Sequence, residues 1–156
     1  MNTPKNETMS TDQRPDVPTT LGLPLDHLGI AVYDLEAGSR PYELMGLVPD
    51  GDDEDLPAQG VRVRALRGGA SLVELLEPTT PESPVQKFLD KRGSGLHHLA
   101  LRVTSLEGDI ERLLAQGARF VSAEPEPSPG RHGTRVVFLH PKWTGGVLVE
   151  LVEYPH

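Results

Sequence analysis

Cysteine is absent from the 156 residues, which excludes disulfides, zinc-thiolate centres, iron–sulfur clusters and cysteine nucleophiles. Any bound metal must sit on nitrogen and oxygen donors. Aromatic residues make up only 4% of the chain, and no stretch approaches the roughly 20 apolar residues of a membrane span. Positive charge is in deficit too: 15 Lys and Arg face 23 Asp and Glu, a formal net charge of −8. That argues against nucleic acid as a partner, and no membrane association is expected. The first 22 residues, MNTPKNETMSTDQRPDVPTTLG, lack both the apolar run of a signal peptide and the Arg-rich, acid-poor character of a transit peptide. Residues 1–22 therefore read as a disordered tail, 23–156 as a single domain, and a cytoplasmic location is the expectation.

What is present is a repeat. LDHLGIAVYDLE (25–36) aligns with LHHLALRVTSLE (96–107), and LVELLE (72–77) with LVELVE (148–153). His27 and His98 are 71 residues apart, and Glu74 and Glu150 are 76 apart. Each half supplies one histidine and one glutamate at equivalent places, and a pseudo-twofold fold can bring all four to one point. Alternating and near-continuous apolar runs predict strands over 25–32, 61–67 and 71–77, with Gly68-Gly69 as a hairpin turn. The second half repeats them over 96–103, 134–140 and 146–154, with 142–145 turning the hairpin. Thr104-x-x-Glu107 reads as a capping box that opens a helix through Leu106, Ile110, Leu113 and Leu114 and stops at Gly117. The matching helix after Asp34 is interrupted by Gly38 and Pro41.

Ser83-Pro84-Val85-Gln86 supplies an N-cap, a first-turn proline and a glutamine for a linker helix over 83–93, closed by Gly93. It separates a first module of about 25–82 from a second of about 95–154. Residues 50–59 and 123–133 are loops, the second long enough to act as a flap. Each half is thus β-α-β-β, with a further short strand near Phe120-Val121. The fold class is α+β, with two tandem modules whose sheets face each other.

Strand alternation puts His27 on the face of Leu25, Gly29 and Ala31, and His98 on the face of Leu96, Ala100 and Arg102. The opposite, bulkier faces are assigned to the core, and the small neighbours leave room for a cavity. Glu74 and Glu150 each lie within a strand that is apolar on both faces. Burying an ionised carboxylate without compensation costs several kcal/mol or drives its pKa upward, so a divalent cation is the partner these carboxylates suggest. The competing reading is an arginine ion pair, with Arg62, Arg64 or Arg135 on neighbouring strands. Glu77 and Glu153 fall on the opposite face as solvated strand-end charges. A donor set of imidazole and carboxylate suits Zn, Co, Ni, Mn or Fe, and four protein ligands leave two open places on an octahedral ion. Such an ion can chelate a substrate through two oxygens and polarise a carbonyl.

Paired βαβββ modules carrying a His…Glu…His…Glu set resemble the vicinal oxygen chelate superfamily, the glyoxalase/bleomycin resistance/dioxygenase group. Within it the sequence resembles the methylmalonyl-CoA epimerases, through LDHLGIAV (25–32), VELLEP (73–78), SPVQKFLDKRGSGLHHLALRV (83–103) and HGTRVVFLHPKWTGGVLVEL (132–151). The resemblance implies two tandem βαβββ modules, metal ligands His27, Glu74, His98 and Glu150, and a homodimer. Cobalt is the metal it favours, with Mn, Ni and Zn as alternatives. It further implies an acyl-CoA thioester substrate whose (R) and (S) epimers interconvert by removal and return of the α-proton through a metal-stabilised enolate. Glu150 and Glu74 are the candidate catalytic carboxylates. Some family members carry Gln where Glu74 stands and a Glu where this chain has Val63, so the second acid/base group falls to Glu74, a bound water or another segment. His97 points to the other face. A basic rim for the CoA phosphates draws on Lys87, Lys91, Arg92, Arg131, Arg135 and Lys142. The alternative functions are a lactoylglutathione lyase-like isomerase, which uses the same ligands, and a metal-free sequestering protein of the bleomycin-resistance type.

Overall fold

The computed structural model describes residues 25–156; the tail expected over 1–22 lies outside the described residues. Among these, no helix is long and apolar enough to cross a membrane. Strand β1 (Leu25–Ala31) leads into helix α1 (Leu35–Leu44), and the short strands β2 (Val48–Pro49) and β3 (Glu54–Leu56) precede the hairpin of β4 (Val61–Gly68) and β5 (Ser71–Pro78). Helix α2 (Pro84–Arg92) joins this half to β6 (Gly95–Val103), α3 (Leu106–Ala115), β7 (Ser128–Pro129), β8 (Arg135–Leu139) and β9 (Val149–Glu153).

The expected facing sheets are one sheet. The described strands run in the order β2-β4-β5-β1-β6-β9-β8-β7, with β3 on β4. Its centre is the antiparallel β1–β6 pair, in which His27 lies opposite Ala100 and Gly29 opposite His98. On one side Gly29 pairs with Glu74 in the parallel β1–β5 ladder. On the other, Ala100 pairs with Glu150 in the parallel β6–β9 ladder. Because side chains alternate along a strand, each histidine and the glutamate of the neighbouring strand emerge on the same face.

Both faces of this sheet are buried, so the division into one core face and one cavity face does not hold. Helix α1 covers Ile30, Val32, Leu66 and Leu75, and α3 covers Val103, Val137, Leu139 and Leu151. On the histidine face, Ala31 packs with Val61, Val63, Leu76, Val85 and Leu89 beneath α2. The cavity is the polar part of that second buried layer.

Helix α1 runs unbroken through Gly38 and Pro41. Asp34 caps it by accepting from Ala37 N at 2.8 Å, and a Cβ at Gly38 would lie 2.6 Å from Val32 Cγ1. Close packing on the sheet thus outweighs two weak helix formers. Helix α3 begins one residue later than the capping box predicts: Ser105 is the N-cap and accepts from Gly108 N. Ser83 caps α2, which ends at Gly93 as expected. The strand expected near Phe120 is an isolated bridge to Leu139.

Candidate metal centre

His27 and His98 project from the two central strands, and Glu150 projects from β9 beside them. All three are buried, and one donor atom of each lies within 4.8 Å of the others. Glu150 Oε1 is 3.0 Å from Nε2 of both imidazoles, while the two Nε2 atoms are 3.4 Å apart. Gly29 makes this approach possible, because a Cβ there would lie 2.1 Å from His98 Cε1. Glu74 stands outside the trio: its Oε1 is 3.4 Å from His27 Nε2, and its Oε2 faces the Arg131 Nε at 3.3 Å.

Outer contacts turn the imidazoles inward. His27 Nδ1 donates to Asp26 Oδ2 at 2.7 Å, and Asp26 Oδ1 accepts from the Tyr154 hydroxyl at 2.8 Å. With Nδ1 turned to Asp26, Nε2 is directed at the cavity, the arrangement found around metal-bound histidines, and a bound cation would take the place of the Nε2 proton. His98 Nδ1 lies 3.0 Å from His97 Nδ1, so His97 braces its neighbour, and its ring also packs on Phe88 at 5.0 Å.

Burial and charge shift His27, Glu74, Glu150 and His97 in different directions. Burial disfavours the His27 imidazolium, but the hydrogen bond of Asp26 and the close carboxylates of Glu150 and Glu74 outweigh it and raise the pKa to about 10. Burial pushes the Glu74 carboxyl up, and the charges of His27 and Arg131 offset this only in part. For Glu150 burial acts in the same direction, yet the two imidazoles 3.0 Å away hold it below the usual carboxylate range. Burial, reinforced by the charge of His98, lowers His97 to about 4 and keeps it neutral.

The site fits a cation. Glu150 Oε1 is buried and has no hydrogen bond of proper geometry, although Nε2 of both imidazoles stands 3.0 Å from it. An ion that accepts all three donors removes this cost. The donor set contains no sulfur, as expected for the Co, Mn, Ni and Zn group.

The arginines proposed as partners for the glutamates go elsewhere. Arg62 faces Asp55, Arg64 binds Asp53 and Glu36, and Arg135 binds Glu107 and Glu153. Arg131, placed by sequence on the CoA rim, is instead buried against Glu74. Glu153, read as solvated, is 5% exposed and also accepts from Leu106 N. Its alternation was legible, and so was helix α3, but not that the start of α3 packs over this carboxylate.

Among the described residues, His98 lines three of the cavities. A pocket of about 20 Å³ holds the donors and is walled by Val63, Gln59 and Tyr154. A largely apolar cavity of about 390 Å³, lined by Phe138 and Leu148, shares Gln59, Leu76 and His98 with it. Beyond His97, a groove of about 440 Å³ runs between α2 and residues 141–148, lined by Lys87, Lys91 and Arg92 over Phe88, Leu96 and Leu148.

Residues 26–138 match the sequence profile of the Glyoxalase/Bleomycin resistance protein/Dioxygenase superfamily, which sets the class. The ethylmalonyl-CoA/methylmalonyl-CoA epimerase of Cereibacter sphaeroides is 40% identical over 130 residues, covering 83% of this chain and 96% of that protein. The crystal structure of the Mycobacterium tuberculosis methylmalonyl-CoA epimerase superposes with a TM-score of 0.79 at 39% identity, covering 92% of this chain and 95% of that one. A methylmalonyl-CoA epimerase solved with methylmalonyl-CoA and NH4+ gives 0.76 at 39% identity, covering 84% and 94%. The chain belongs to the methylmalonyl-CoA epimerase family of this superfamily.

Proposed function

We propose that this protein interconverts the (R) and (S) epimers of methylmalonyl-CoA by moving the α-proton, at a divalent metal centre formed by His27, His98, Glu150 and Glu74. The convergence of His27, His98 and Glu150 on one buried point, with Glu74 beside His27, carries the reading. A cation held there supplies the positive charge that stabilises an enolate oxygen and so makes the α-proton removable.

The protein's own residues supply the proton traffic. Inversion needs groups able to give and take a proton on two sides of one carbon. Glu74 and Glu150 arrive from opposite halves of the sheet, on β5 and β9, and both face the cavity. Glu74 and Glu150 are the assigned acid/base carboxylates. Val63 carries no proton and serves as an apolar wall, fully buried.

The acyl end enters through the largely apolar cavity, and the thioester arm with its phosphates follows the groove of Lys87, Lys91 and Arg92. Arg135 and Arg131 are withdrawn from that rim by their own carboxylate partners. Cobalt is the metal we assign, and a homodimer in the cytoplasm is the expected form.

Incubation of the Co-loaded protein with methylmalonyl-CoA in deuterated water tests the reading, with the α-proton signal followed by NMR. Exchange by the wild type, lost in Glu150→Gln, is the expected result. No exchange by the loaded wild type sinks the assignment, and turnover of a glutathione hemithioacetal in its place moves the protein to the lyase class.

A further inference from the structure

The contact between Glu74 and Arg131 joins the two halves of the sheet, and the chemistry above makes no use of it. The turn over 130–134 is built to aim this guanidinium inward. A Cβ at Gly130 would lie 2.5 Å from Thr134 Oγ1 and 2.9 Å from Val136 Cγ1, so glycine alone lets the chain fold back. Gly130 N donates to the Thr134 carbonyl at 2.8 Å. Thr134 returns two bonds to the Arg131 carbonyl, from N at 3.1 Å and from Oγ1 at 2.7 Å. Between them His132 and Gly133 adopt left-handed conformations, φ 56° and 73°, the first uncommon for a residue with a side chain.

Each guanidinium nitrogen faces an acceptor of this chain. Nε meets Glu74 Oε2 at 3.3 Å, Nη1 donates to the Asp50 carbonyl at 3.2 Å, and Nη2 lies 3.6 Å from Asp50 Oδ2. Arg131 is therefore engaged within the protein and is poorly placed to anchor a ligand. Its effect falls on Glu74, whose two oxygens are divided between Arg131 and His27.

We propose that Arg131 is a positioning residue that clamps the outer oxygen of Glu74, so that this carboxylate offers a single oxygen to the centre and leaves room for a substrate that chelates through two. The inference rests on the metal reading above. A carboxylate with both oxygens free can close on a cation with both, whereas a charge-assisted bond to one oxygen fixes the orientation of the other.

The test uses Co(II) as the probe in the full chain, with Arg131→Met, Glu74→Gln and the double variant. Affinity is read by competition with a chromophoric chelator, coordination by visible absorption, and KM and kcat with methylmalonyl-CoA. In R131M the Co(II) spectrum changes, the ion is held about tenfold more tightly because a neighbouring positive charge is gone and the second oxygen is free, and KM rises about tenfold while kcat falls less. In the E74Q background the same substitution moves each readout by less than about threefold, because the clamped group is gone. Arg131→Lys, which keeps the charge and loses the Nε contact, falls between wild type and R131M, and it carries the test if R131M does not fold. An unchanged Co(II) spectrum and KM in R131M overturn the proposal, as does an equal effect with and without Glu74, which would assign Arg131 to the turn alone. A wild type that takes up no Co(II) overturns the metal reading, and this one with it.

Discussion

The two halves of the sheet share a register and differ in what surrounds it. Leu28 and Gly29 lie against Val73 and Glu74, and Leu99 and Ala100 lie against Val149 and Glu150 at the equivalent positions. Yet Glu150 reaches both imidazoles at 3.0 Å, while Glu74 reaches one and is shared with Arg131. The residue preceding each histidine differs as well: Asp26 holds His27 through a carboxylate, and His97 holds His98 through a neutral ring. Duplication set where the backbone puts each donor. The side chains and loops outside the repeat decide how each donor is used.

The sharpest break in the likeness lies at Gly29 and Ala100, which occupy equivalent places beside the opposite histidine. Gly29→Ala puts a methyl 2.1 Å from His98 Cε1. It should displace that imidazole, destabilise the fold by about 1–3 kcal/mol and abolish tight metal binding. Ala100→Gly only empties space and costs about 1 kcal/mol, with metal retained. Thermal melting together with metal analysis of both variants decides this; equal losses would show that the halves tolerate side chains alike.

A smaller effect separates the supports of the two histidines. Tyr154→Phe removes the hydroxyl that holds Asp26 and so loosens the orientation of His27 but not of His98. A loss of roughly tenfold in Co(II) affinity is expected, the lower end of what such outer partners contribute, with about 1 kcal/mol of stability lost for the hydrogen bond. Calorimetric titration of the variant measures it, and unchanged affinity would mean that Asp26 needs no such restraint.

The smallest effect concerns Arg135, which ties the second half's β8 to α3 and β9 through Glu107 and Glu153. Its hydrogen bonds hold the exposed Glu107 carboxyl at about 2, against an ordinary value of 4.5. Burial raises Glu153, but bonds from His156 and Arg135 bring it below its ordinary value. Carboxylates lowered on folding stabilise the native state above the unfolded pKa, and this is lost as pH falls through the folded one. Arg135→Ala should therefore lower the melting temperature near neutral pH by about 2 °C. The difference from wild type should shrink below pH 4.5 and vanish near pH 2. A constant difference across that range would point to lost packing of the arginine stem.

The strands were legible because apolar alternation records which face is covered, and the repeat showed that the same register occurs twice. The buried trio of His27, His98 and Glu150 was legible for the same reason: a histidine beside Gly29 or Ala100 and a glutamate inside an apolar strand each need a partner that their own strand does not supply. Residues whose partners lie far along the chain were less so. Arg131 meets Glu74 across 57 positions, with no periodic signal joining a turn residue to a strand. Glu153 looked solvated because alternation reports only the side on which a residue emerges, and α3 covers that side with the backbone of Leu106. The Gly130, His132 and Gly133 turn carried a local signal, a glycine pair flanking a histidine, but none that said where it aims Arg131.

By itself the sequence determined the six longer strands, the Ser83 cap of α2 and the placing of one histidine and one glutamate in each half, since these follow from short-range sterics and from the period of apolar residues. Only the tertiary structure decided that the halves form one continuous sheet, that both of its faces are buried, and that Glu150 stands between the imidazoles while Glu74 is drawn to Arg131. Those outcomes depend on which loops and helices close over the sheet, and burial there strengthens each charge contact enough to set equivalent residues apart.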